Sequence, residues 1–184
     1  MTIIYSNMLD DDCQVLQRIW QNLNHINLIE ILPTSENYEN IVDDAIRQET
    51  DTLILVGHGT TQGLLFPDFN RGEYIIHENN VHLINAQNII CCWCYASTFC
   101  QTHNLHNVFA TSMFISNINE AYDNGIYNID QNRININGMS FYSQMNNLLL
   151  QNVPLNEWVM RFGAYMDIES ALDMFNRQGL YYFV

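Results

Sequence analysis

The chain has 184 residues, 48% of them hydrophobic and 12% aromatic, which is enough to bury one full core and excludes a disordered segment. Twenty acidic residues face six arginines and no lysine, for a formal net charge of −14. That balance argues against nucleic acid and anionic membranes as partners, since both require a cationic face.

Thr2–Tyr5 reads as a first strand. Leu9, Cys13, Leu16, Ile19, Trp20 and Leu23 then recur at helical steps, and the Asp10–Asp12 run suits a helix start. Asn27–Leu32 is a second strand stopped by Pro33. Thr34 or Ser35 is placed to cap a helix whose stripe is Tyr38, Ile41, Val42, Ala45 and Ile46. Thr52–Val56 is a near-continuous apolar run of the kind buried on both faces. Turn signals at Pro67, Gly72 and Asn79-Asn80 surround an expected hairpin of Tyr74–Ile76 with Val81–Ile84.

Asn88–Trp93 is the next buried strand, followed by a helix carrying Cys100, and Val108–Ile115 is another strand. The Asn-rich stretch 117–137 reads as loop with a short helix at Ile118–Tyr122. Helices are expected over Phe141–Leu150, Pro154–Met166 and Ile168–Phe175, with Gly179 as a stop and Leu180–Val184 as a last strand. Strands alternating with helices at this spacing imply right-handed crossovers and an α/β fold with a mostly parallel sheet covered on both faces. A single domain over residues 1–184 is expected.

The cysteines, Cys13, Cys91, Cys92, Cys94 and Cys100, are odd in number and four crowd into ten residues, so no disulfide framework is expected. Together with the lack of a basic, apolar leader and of a spanning run, this places the chain in a reducing cytoplasm.

Two segments carry the chemistry: Leu53-Ile54-Leu55-Val56-Gly57-His58-Gly59 and Ile89-Ile90-Cys91-Cys92-Trp93-Cys94. Each is a buried strand with a reactive residue at its carboxyl end, the edge where sheets of this class carry their sites. His58 and Cys94 therefore form a candidate base–nucleophile pair, with the N–H groups of Gly59 and Cys94 as oxyanion donors. Cys91 and Cys92 lie within the apolar run and read as packing residues; Cys94 leads, with Cys92 as the fallback. Cys100, His103 and His106, with Cys92 or Cys94, are the rival metal set, but their spacing fits no standard zinc pattern, so neither metal nor cofactor is expected. Ser97 with His58 lacks a G-x-S-x-G elbow.

The two blocks, Val56-Gly57-His58-Gly59 and Cys92-Trp93-Cys94-Tyr95-Ala96-Ser97, resemble those of the clan CD cysteine peptidases, which include caspases, metacaspases, separases and gingipains. Asn107–Phe114 with Glu120-Ala121, Phe141-Tyr142 with Leu148-Leu149 and Pro154–Glu157, and Gly179–Val184 are similar to later blocks of the CHAT group, so the likeness runs through nearly the whole chain. The resemblance implies a caspase-like three-layer α/β/α sandwich. It also implies a cysteine endopeptidase that cleaves protein or peptide through a thioester, with Cys94 as nucleophile and His58 as general acid/base. Gly59, Ser97 and Phe114 become the oxyanion or substrate-binding positions, and a regulatory or sensor protein would act in trans. Three places depart from the pattern, the first being Ala96-Ser97 where a Gly often follows the Cys. Trp93 stands where Ala or Ser is usual, and Cys92 where metacaspases carry the acid that selects basic P1 residues. A second reading is therefore a catalytically inactive caspase-like domain serving as a regulatory protein-binding module.

Overall fold

A computed structural model describes residues 1–167 and 169–184. Its strands are β1 (Thr2–Ser6), β2 (Asn27–Ile31), β3 (Thr52–Val56), β4 (Gly59–Thr60), β5 (Gly63–Leu65), β6 (Tyr74–Ile76), β7 (Asn88–Cys92), β8 (Val108–Thr111) and β9 (Leu180–Phe183). The helices are α1 (Asp11–Leu16), α2 (Tyr38–Gln48), α3 (Ala96–Thr102), α4 (Ile118–Asp123), α5 (Gln131–Leu150), α6 (Leu155–Ala164) and α7 (Ala171–Gln178). Six strands form the main sheet in the order β2-β1-β3-β7-β8-β9, parallel except for β9, which runs antiparallel to β8. The expected α/β class and mostly parallel sheet are thus present.

Alternation along the strands divides the core. Ile4, Leu53, Leu55, Ile89 and Cys91 pack with α2, α3 and the small β4-β5-β6 sheet. Ile3, Tyr5, Ile54, Val56, Ile90 and Cys92 pack with α1, α5 and α6 on the other face. This is the period-2 rule of a strand buried on both sides.

Several elements differ from expectation. The Leu9–Leu23 pattern gives only the short α1 and a 3₁₀ turn at Gln17–Trp20. Neither Thr34 nor Ser35 caps α2. Ser35 Oγ instead accepts from the Leu32 N–H at 2.9 Å, and Asn37, in a left-handed conformation, precedes the helix. β6 pairs with β5 rather than with Val81–Ile84, because the Asn80 side chain bonds the Ile75 carbonyl and the His77 N–H and turns the chain into a 3₁₀ helix at Val81–Leu83.

β8 ends at Thr111, short of Ile115, since Thr111 Oγ1 turns to the Trp93 carbonyl and Asn176 takes both backbone groups of Ile115. The largest change is α5, which begins ten residues before Phe141, inside the supposed Asn-rich loop. Asp130 caps it, and Ile134, Gly138, Phe141, Tyr142 and Met145 keep one buried helical face. α6 ends at Ala164 and α7 opens at Ala171 on Ser170, whose hydroxyl accepts from the Asp173 N–H; Ile168 lies outside the described residues. None of the described helices is long and apolar enough to cross a membrane.

One buried ion pair locks α5, α6 and α7 together. Asp173 accepts from Arg177 Nε at 2.8 Å, from Asn137 Nδ2 at 2.6 Å and from the Asp167 N–H at 2.7 Å, while Arg177 Nη1 reaches Gln144 and the Phe162 carbonyl. Asp173→Ala leaves that guanidinium buried without its counter-charge. It is expected to cost about 3–5 kcal/mol, read as a lowered midpoint in urea unfolding.

Candidate active site

Val56 lies opposite Cys92 in the parallel β3–β7 pair, and the Gly57 N–H extends the ladder by bonding the Cys92 carbonyl at 3.3 Å. His58 and Cys94 each follow two residues later. Both stand just past the ends of these neighbouring strands, where the regular pairing has stopped. Both line one cavity of about 60 Å³, room for a few waters. Asp12, Ser116 and Tyr142 line it as well, and the early turns of α5, which sequence reading took for loop, supply Ile134 and Gly138.

Trp93 also lines the cavity, yet it belongs to the opposite core layer. Its indole packs with Phe99 in the other core layer, donates from Nε1 to the Thr60 carbonyl at 3.1 Å and lies over Gly59. A Cβ on Gly59 would sit 2.1 Å from Trp93 Cδ1, so the tryptophan requires glycine there. Gly57 holds φ +149° against Ser6, whose Cβ lies 2.7 Å from where a side chain would begin. After Cys94 the chain turns sharply into α3 through Tyr95, at φ 68° and ψ 19°. A left-handed conformation at a bulky residue costs on the order of 1–2 kcal/mol, and such strain gathers where a side chain must be presented.

Sequence reading missed Asp10. It caps α1, its Oδ1 accepting the Cys13 N–H at 2.7 Å, and its Oδ2 lies 2.9 Å from His58 Nε2. Burial would raise the Asp10 carboxyl, but the Cys13 and His58 hydrogen bonds more than offset it and hold it below the usual range. An ionised carboxylate only accepts, so His58 Nε2 carries the hydrogen, and in the neutral ring Nδ1 is the basic nitrogen. The available signal was position: Asp10 follows β1 at the same sheet edge as His58.

Cys94 Sγ donates to the Phe114 carbonyl at 3.8 Å and makes no hydrogen bond to His58 among the described residues. Burial foremost, with the carboxylates of Glu120 and Asp12 nearby, pushes its thiol up to about 11. Asp12 is itself raised by burial, partly offset by its bond to Ser116 Oγ and by His58. Of the expected site residues, His58, Cys94 and Phe114 thus meet in one cavity. Gly59 lies in β4 beneath Trp93, and Ser97 is buried in α3; neither lines the cavity. Cys91, Cys92 and Cys100 are buried free thiols. His103 packs at a tilt against Phe99, and His106 bonds the Val184 carbonyl.

No protein-family model matches the chain, and searches of curated proteins and of solved structures return no match either.

With its proton held to about pH 11, Cys94 is a thiol at neutrality. Its carboxymethylation by iodoacetate in a His58→Ala protein is expected to accelerate roughly tenfold per pH unit toward that value, because only the thiolate reacts. A rate already level near neutral pH would contradict the burial of the thiol. The unfolded chain releases this proton first, so the fold loses stability as pH rises from 9.0 through about 11.

Proposed function

We propose that the chain is a cysteine endopeptidase with a caspase-like α/β/α fold, in which Cys94 attacks, His58 moves the proton and Asp10 orients His58. One observation carries the reading. His58 and Cys94, a base and a nucleophile by residue type, follow the ends of two paired strands and line one cavity, and His58 is held there by a carboxylate.

His58 Nδ1 takes the Cys94 proton as Sγ bonds to the scissile carbonyl carbon, and the carbonyl π electrons move to oxygen. The N–H of Cys94 meets the oxyanion; Gly59, outside the cavity lining, leaves that task to it. Collapse of the tetrahedral adduct breaks the C–N bond, and the proton on His58 goes to the leaving amine. Water, deprotonated by the same nitrogen, then cleaves the thioester and returns the thiol. The buried, acid-flanked Cys94 makes proton removal part of the step, in contrast to a preformed thiolate.

Asp12 in the cavity wall, together with the net charge of −14, favours a peptide with a cationic side chain beside the cleaved bond. The competing reading, an inactive caspase-like domain that binds a regulatory partner in the same cleft, rests on the bond from Cys94 to Phe114 in place of one to His58.

Labelling with a peptidyl chloromethylketone library separates the two. Wild type is expected to label on Cys94 and to favour Arg or Lys probes, and Cys94→Ala and His58→Ala are expected not to label. Asp10→Asn keeps the helix cap, since Asn caps as well as Asp, and is expected to lower kcat by roughly 10²–10⁴ with KM little changed. Asp12→Asn is expected to weaken the preference for cationic probes over neutral ones. A wild-type protein that no probe labels would leave the regulatory module as the reading.

A further inference from the structure

Asp10, Cys13 and His58 place a carboxylate oxygen, a sulfur and an imidazole nitrogen within 4.8 Å of one another. We propose that this cluster is a binding site for a soft divalent cation of the zinc class. The fold brings the three together by necessity. Asp10 and Cys13 are the cap and third residue of α1, joined through the Cys13 N–H, and His58 arrives from the end of β3. The capping geometry uses only Asp10 Oδ1, so Oδ2 is the oxygen turned toward His58.

A tetrahedral zinc ion with bonds of about 2.0–2.3 Å needs its ligand atoms roughly 3.3–3.8 Å apart. The Asp10–His58 distance of 2.9 Å must then open by about half an ångström, and the other separations, none wider than 4.8 Å, must close by up to about one. Side-chain rotations of that size leave the cap intact. Cys13 Sγ, bonded to the Ser6 carbonyl at 3.6 Å and to the Met8 N–H at 3.4 Å, keeps the amide as a partner when it becomes a thiolate. The side chains of His58 and Asp10 are 25% and 40% exposed, so an ion enters past them and a water completes the shell. One carboxylate beside sulfur and nitrogen suits zinc or cobalt and does not suit calcium or magnesium.

The proton balance has a consequence at the cleft. Binding releases the Cys13 proton to solvent, and coordination through His58 Nε2 moves that nitrogen's hydrogen to Nδ1. Nδ1 is the base in the proposed peptidase, so a bound ion silences the enzyme without touching Cys94. This consequence rests on the peptidase reading; the site itself does not.

Titrating the full chain with Co²⁺ under reducing conditions tests the site directly. Wild type and Cys94→Ala are both expected to bind one equivalent with a thiolate-to-cobalt charge-transfer band. Cys13→Ser is expected to lose the band, and His58→Ala to weaken binding at least tenfold. No band in wild type, a band that survives Cys13→Ser, or one that vanishes in Cys94→Ala would overturn the proposal. Should Cys13→Ser fail to fold, His58→Ala decides, because an unchanged affinity there excludes the site. A protein that binds cobalt as described but labels with no chloromethylketone removes the peptidase reading alone, and an active protein without the band removes the metal site alone.

Discussion

Parallel pairing of β3 with β7 sets Val56 opposite Cys92, and that register brings the chain out of both strands at matched ends. Neighbouring strands run about 4.8 Å apart, and successive side chains take opposite faces. Within the paired strands, side chains two residues apart are again level and again on the same side. A slip of one residue in either strand would shift one strand end against the other and turn that strand's faces over. The apolar runs on both strands exclude that slip, since it would also exchange Ile54 and Val56 for Leu53 and Leu55 against the wrong helices. The proposed chemistry is therefore specified by packing that has no chemical role.

The same parity accounts for Trp93. A bulky residue beside a proposed nucleophile looks obstructive in one dimension, but its indole belongs to the other layer, where it shapes the β4 turn that follows His58. The electrostatics are less symmetrical. Asp12 and Glu120 stand near the thiol and favour its protonated form, whereas Asp10 meets the imidazole and fixes its tautomer. Acidic groups thus oppose the nucleophile and support its base. A cationic substrate side chain entering near Asp12 would relieve the first effect and leave the second.

Much of the framework was legible in the sequence because strands buried on both faces write themselves as apolar runs, as in Leu53–Val56 and Ile89–Cys92. His58 and Cys94 were legible because they end such runs. What escaped had a different cause in each instance. The first turns of α5 were hidden by asparagines, although Asp130 and the Ile134–Phe141 spacing carry a helix signal. Asp10 was read only as a helix start, because a capping residue's second oxygen has no sequence signature. The pairing of β6 with β5 depended on Asn80 hydrogen bonds that no local pattern announces.

α1 is only six residues long, and its first turn is held by the Asp10 cap. A helix of that length has little stability of its own and borrows it from Cys13, Leu16 and Ile19 packed under α5. Since the residue that begins this helix also orients the imidazole, unwinding a single turn would release His58 while the sheet stayed whole. The working temperature of the proposed site is then set by its weakest helix, below the melting point of the protein that carries it.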